Sequence, residues 1–144
     1  MFAPKVTVSI PIEVSSTSRV VFSDVNYACK DIISDELTFN LQSIGQSLMT
    51  ILSTYRKQRL FHPTFGSNLE MYLFDPVDEI TAFNIKNEIL QAFSEWEHRV
   101  VINSKDVIVT ALLDEEMYSV EVRYSIPQLE DVATLSFNLS KDNK

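Results

Sequence analysis

Tyr118-Ser119-Val120-Glu121-Val122-Arg123-Tyr124-Ser125-Ile126 decides the fold. Every second residue is apolar and those between are polar or charged, a period of two that marks a strand with one buried and one wet face. Upstream, Val107 to Leu113 is almost continuously apolar, and Asp114-Glu115-Glu116-Met117 supplies a turn. Downstream of Pro127 to Asp131, Ala133, Leu135, Phe137 and Leu139 alternate with Thr134, Ser136 and Asn138. Three successive strands on short links read as an antiparallel meander. The polar tail Lys141-Asp142-Asn143-Lys144 is expected to fray.

The period changes before this block. Ala82, Ile85, Ile89, Ala92, Phe93 and Trp96 fall on one face of a helix reaching about Trp96. Asp75-Pro76 supplies a capping side chain and a proline at the first position. An earlier helix carries Leu41, Ile44, Leu48, Ile51, Leu52 and Tyr55 as one stripe. Ser34 or Asp35 can cap it, and Arg56-Lys57-Gln58-Arg59 would end it, facing the negative end of the helix dipole. Gly45 inside it costs about 1 kcal/mol relative to Ala, which points to close packing there. Between the helices, Leu60 to Phe74 reads as a loop with a short helical turn, punctuated by Pro63 and Gly66 and rich in apolar residues that need a surface to pack on.

At the N-terminus Val6, Val8, Ile10, Ile12 and Val14 alternate with polar residues and Pro11, so an edge strand is expected. A polar link, Ser15 to Ser18, leads to a short extended piece, Arg19 to Phe22, and an irregular stretch at Ser23-Asp24. The chain therefore divides into an extended arm or edge strand (1–18), one domain (19–140) and a flexible tail (141–144). The fold class is α+β: two main helices on one face of a small antiparallel sheet, built from the C-terminal meander and the N-terminal strand.

The 144 residues suffice for one hydrophobic core, with 45% hydrophobic and 22% charged residues. A formal charge of −8 opposes phosphate backbones and anionic lipid, which argues against nucleic acid and membrane as partners. No apolar run approaches the ~20 residues of a membrane span, and MFAPKVTVSI lacks a secretory h-region, so the protein is expected to remain cytoplasmic. Two glycines, Gly45 and Gly66, exclude a glycine-rich phosphate loop. Cys29 is alone and can form no internal disulfide.

Catalysis finds no constellation. His62 and His98 lack a nucleophile context, and Cys29, beside Lys30, has no motif around it. Two histidines and one cysteine cannot build a structural zinc site, and Asp114-Glu115-Glu116 lacks the alternation of a calcium loop. No catalytic residue, cofactor or metal is expected.

Two features stand out: the apolar loop, whose bland reading is a core-lining segment, and Trp96-Glu97-His98-Arg99, whose bland reading is a solvated helix end. At such an end Glu97 and Arg99 can each take a different buried partner. The stretch Arg59-Leu60-Phe61-His62-Pro63-Thr64-Phe65-Gly66-Ser67-Asn68-Leu69, followed by Tyr72-Leu73-Phe74, resembles the Arg-x-Phe-x-Pro-x-Phe-Gly-x-x-Leu…Leu-Phe signature of the small baseplate wedge proteins of T-even-type contractile-tailed phages. The preceding helix, Ser43 to Leu48 through Arg56-Lys57, is similar too. Glu97-His98-Arg99 falls where that family and its type VI secretion relatives carry Glu-Pro-Arg. The likeness spans about Val20 to Ser140. His98 replaces the proline, and Val6–Val14 lies outside.

The resemblance implies a non-enzymatic sheath initiator, located in the virion's tail baseplate and assembled in the host cytoplasm. It implies the sheath protein's inner-domain fold and two partners: the core bundle of larger wedge subunits, met by Glu97, His98 and Arg99, and the tail sheath protein, whose first ring it templates. An open sheet edge, at Ala133, Leu135, Phe137 and Leu139 or at Val6–Val14, would accept the sheath's arm by strand addition. The same fold is compatible with a type VI secretion baseplate subunit or a regulatory protein-binding module.

Overall fold

The computed structural model describes residues 23–25, 37–127 and 131–140. In chain order these form β1 (Ser23–Val25), β2 (Leu37–Phe39), α1 (Asn40–Ser53), α2 (Leu69–Tyr72), α3 (Glu79–Trp96), β3 (Val107–Leu112), β4 (Met117–Ile126) and β5 (Asp131–Ser140), with a 3-10 turn at Leu113–Glu115 between β3 and β4.

The alternation that opens the reading lies at the centre. β4 pairs antiparallel with β3 on one side and with β5 on the other, Tyr118 facing Leu139 and Val122 facing both Leu135 and Val107. Its even-numbered residues from Tyr118 to Ile126 are all buried, and so are Ala133, Leu135, Phe137 and Leu139 across from them. The helices cover that face, α3 over β3 and α1 over β5, and they also touch each other. Ile44 and Leu48 of α1 and Ile85 and Ile89 of α3 are fully buried. Each such side chain contributes about 1.5–3 kcal/mol through removal from water. The opposite sheet face carries Glu121, Arg123, Ser136 and Asn138, with Ile108 and Val132 exposed among them. Gly45 is buried within α1.

The architecture is α+β, with three helices and a three-stranded antiparallel sheet. Some expectations fall outside the described residues and others need correcting. The expected strand at Val6–Val14 and the capping residues Ser34 and Asp35 lie outside the described residues. Ser23–Val25 is a strand, paired with β2 in a separate two-stranded sheet. α1 starts at Asn40, whose positive φ of 47° turns the chain from β2 into the helix. It ends at Ser53, three residues short of Arg56, where Tyr55 leaves the helical path for a parallel bridge to Ser67. The basic residues therefore leave the helix end and enter the loop.

α3 begins at Glu79, and its cap is Asp78 in place of Asp75. Thr81 N–H donates to Asp78 Oδ1 at 2.6 Å, a bond that holds the Asp78 carboxyl below the usual carboxylate range. Two tyrosine hydroxyls of β4 tie the helices to the sheet. Tyr118 donates to the Pro76 carbonyl just before α3 (3.1 Å), and Tyr124 donates to the Leu41 carbonyl in the first turn of α1 (3.0 Å).

Candidate interaction site

The motif loop closes on a short stem. Ser67 N–H donates to the Thr54 carbonyl (2.9 Å), its hydroxyl to the Leu52 carbonyl (2.9 Å), and Lys57 N–H to the Pro63 carbonyl (2.8 Å). Gly66 sits at φ 109°, and a Cβ there would run into the Thr54 carbonyl oxygen. Only glycine fits both demands.

Beside the stem, Phe65 meets Trp96 edge-on with ring centroids 5.1 Å apart, and the Arg59 guanidinium lies 3.9 Å above the Phe65 ring. Leu69 enters the core. From α3, Glu88 accepts the Asn68 N–H at 2.9 Å and faces Arg56 at 3.5 Å, while Arg56 Nε donates to the Gly66 carbonyl at 3.3 Å. The loop is thus anchored at both ends.

Its tip behaves otherwise. The core-lining reading of the loop holds for Leu69 and not for the tip: Leu60 and Phe61 are 93% and 90% exposed, the highest values among the large hydrophobic residues described. The turn from Lys57 at φ 78° to the Pro63 bond sets the chain between them outward, beyond reach of α3. Of the signature residues, Arg59, Phe65, Gly66 and Leu69 build the loop. Pro63 is exposed and contributes its carbonyl, and Phe61 points into solvent.

The 97–99 turn also departs from expectation. Glu97 and Arg99 take each other as partners. Arg99 Nε donates to Glu97 Oε1 at 2.6 Å, and Nη2 donates to Oε2 and, at 2.8 Å, to the Ser47 hydroxyl on α1. The Glu97 side chain is 4% exposed and that of Arg99 35%. This fork fixes two directions at once, so it holds the chain leaving α3 against α1. His98 stands exposed at the apex of the turn. Two residues on, Val101 pairs with Ser125, which fastens the turn to the end of β4.

β5 lies at one edge of the sheet and is the longer outer strand, ten residues against six for β3. Its Ala133, Leu135, Phe137 and Leu139 side chains belong to the chain's own core. What β5 offers outward is backbone.

Sequence reasoning missed Ser47 and Glu88. Ser47 lies 52 residues from Arg99, and nothing local announces the pairing. Glu88 had a signal: with Glu95 seven residues on, it marks one acidic flank of α3, where a basic partner was due. Among the described residues no group of His, Cys, Asp and Glu could hold a metal ion, and no helix is long and apolar enough to cross a membrane.

The family model for the baseplate wedge protein gp25 matches residues 40–129, a span that contains both the anchored loop and the 97–99 fork. The chain belongs to the baseplate wedge protein gp25 family. One relative, the baseplate wedge protein gp25 of Enterobacteria phage T4, is 31% identical over 108 residues, covering 74% of this chain and 80% of its own. The fold recurs in a solved structure from Geobacter sulfurreducens, named provisionally as a tail lysozyme, with a TM-score of 0.61, 23% identity, and 70% and 91% coverage of this chain and that one. The gp25 match bears out the family resemblance. It starts at Asn40, short of the Val20 that the motif comparison had suggested.

Proposed function

We propose that this protein is a structural, non-enzymatic component of the baseplate in a contractile phage tail. It joins the core bundle of larger wedge subunits and templates the first ring of the tail sheath. The observation that carries the reading is the joint presence of the Gly66-locked loop and the Glu97–Arg99 fork within residues 40–129, the span that the gp25 family model matches.

A mechanism follows from the geometry. The fork spends its hydrogen bonds inside the domain, so Glu97 and Arg99 act on the wedge contact by holding the turn in shape, and His98 is the residue presented. The β5 backbone edge accepts an extended arm of the sheath protein as an added strand, which fixes the register of the first ring. The protein is made in the host cytoplasm and ends in the virion's tail baseplate. Lysozyme chemistry gains no support from the fork: catalysis of that kind needs two carboxyl groups flanking a sugar bond, and both Glu97 oxygens face Arg99.

The test is deletion of the gene in its source phage, with negative-stain microscopy of the particles. Free baseplates or bare tubes, rescued by the intact gene and poorly by a proline placed in β5, support the proposal. Normally sheathed tails in the deletion would defeat it. The fold shared with a bacterial protein favours a second reading, a type VI secretion baseplate subunit, and the neighbouring genes decide between the two.

A further inference from the structure

We infer that the loop tip Lys57–His62 is a docking knob for a protein surface that presents an apolar socket rimmed with carboxylates. The inference deepens the assembly reading above, because it assigns the knob to a contact with another baseplate protein.

Leu60 and Phe61 are adjacent and almost wholly in water, the most exposed of the large apolar side chains among the described residues. Adjacent exposed apolar residues of this size are a cost to solubility unless another surface covers them. The knob also stands on a bonded stem. The Ser67 bonds, the Lys57–Pro63 bond and the Gly66 turn fix its stem, and Arg59 is seated on Phe65. A bonded stem leaves less conformational freedom to lose on binding, so less of the apolar burial is spent on ordering.

Charge selects the kind of partner. The chain as a whole carries −8, yet from Leu37 to Leu69 it contains no acidic residue and three basic ones, Arg56, Lys57 and Arg59. Arg56 is turned inward to Glu88 and Glu95, which leaves Lys57 and Arg59 beside the apolar pair. An acidic protein repelled by the rest of the molecule is steered to this tip.

The experiment is a calorimetric titration of the full chain with the purified complex of larger wedge subunits encoded by the same phage. Wild type is compared with Leu60→Ser/Phe61→Ser and with Lys57→Glu, each melted to verify its fold. Wild-type binding that falls about a hundredfold in the double variant supports the inference. So does a loss of about tenfold in Lys57→Glu that shrinks as salt is added. Equal binding by wild type and double variant overturns the knob and leaves the assembly reading standing. No binding by wild type overturns both. Mixed phosphatidylcholine–phosphatidylglycerol vesicles form the other arm: if the double variant loses vesicle binding and keeps wedge binding, the knob is a membrane device and the inference fails.

Discussion

The two halves of the motif loop carry similar apolar weight and meet opposite fates. In the second half, Phe65, Gly66, Ser67 and Leu69 are held by α3 and by the end of α1. In the first half, Leu60 and Phe61 extend into water from a stem only a few residues wide. The difference lies in backbone bonding. Residues 65–69 return along the end of α1 and acquire its free carbonyls at Leu52 and Thr54, which carries their side chains inward. Residues 58–62 lie beyond the Lys57–Pro63 bond and have no helix end to follow. Hydrophobicity alone therefore does not decide burial in a loop.

The comparison breaks most readily at Gly66. Gly66→Ala should cost about 3 to 4 kcal/mol in urea unfolding, because the positive φ and the Thr54 carbonyl leave no room for a methyl group. A loss below half of that would mean the stem is looser than described. Two changes outside the loop set the scale. Arg99→Ala leaves Glu97 buried without its guanidinium and should cost about 2 to 3 kcal/mol, which makes Arg99 a poor probe of binding alone.

Burial pushes the Tyr124 phenol up to about 12 from its ordinary value of 10. The folded chain keeps this proton at a pH where the unfolded chain has lost it. The stabilisation is complete below pH 10 and drains as pH rises toward 12, by about 2 to 3 kcal/mol in all. Urea titrations across that range should show the decline in wild type and lose much of it in Tyr124→Phe.

Smaller effects sharpen the contrast. Ser67→Ala removes the hydroxyl bond to Leu52 and should cost about 1 kcal/mol. Leu60→Ser/Phe61→Ser should change stability by less than about 0.5 kcal/mol, since both side chains are already in water. A large loss there, seen in thermal melts, would show that the tip packs within the chain.

Legibility followed the range of the interactions. The meander could be read because a strand with one wet face writes its period directly into sequence, and Tyr118 to Ile126 does so without a break. The boundaries of α1 and α3 could not. Asp75 and Asp78 are equivalent candidates in sequence, and only the extended backbone at Asp78 and the Tyr118 hydroxyl beside its N–H separate them. The loop motif identified the family, while the split between its halves depended on which carbonyls α1 leaves free. For the 97–99 turn the important residues were visible and their partnership was not, because Ser47 is distant in sequence and two residues two apart in a turn can face together or apart.

The two tyrosine ties bear on how the chain comes off the ribosome. Tyr118 reaches back 42 residues to Pro76, and Tyr124 reaches back 83 to Leu41. Both helices are translated before the strand that fastens their starts and joins the sheet on which they lie. Until β4 is made, β3 and β5 have no strand to join them into a sheet, so the apolar faces of α1 and α3 wait uncovered for that part of synthesis. Completion comes late and nearly all at once. The domain takes shape only when its last quarter is released, close to the moment at which partners can first recognise it.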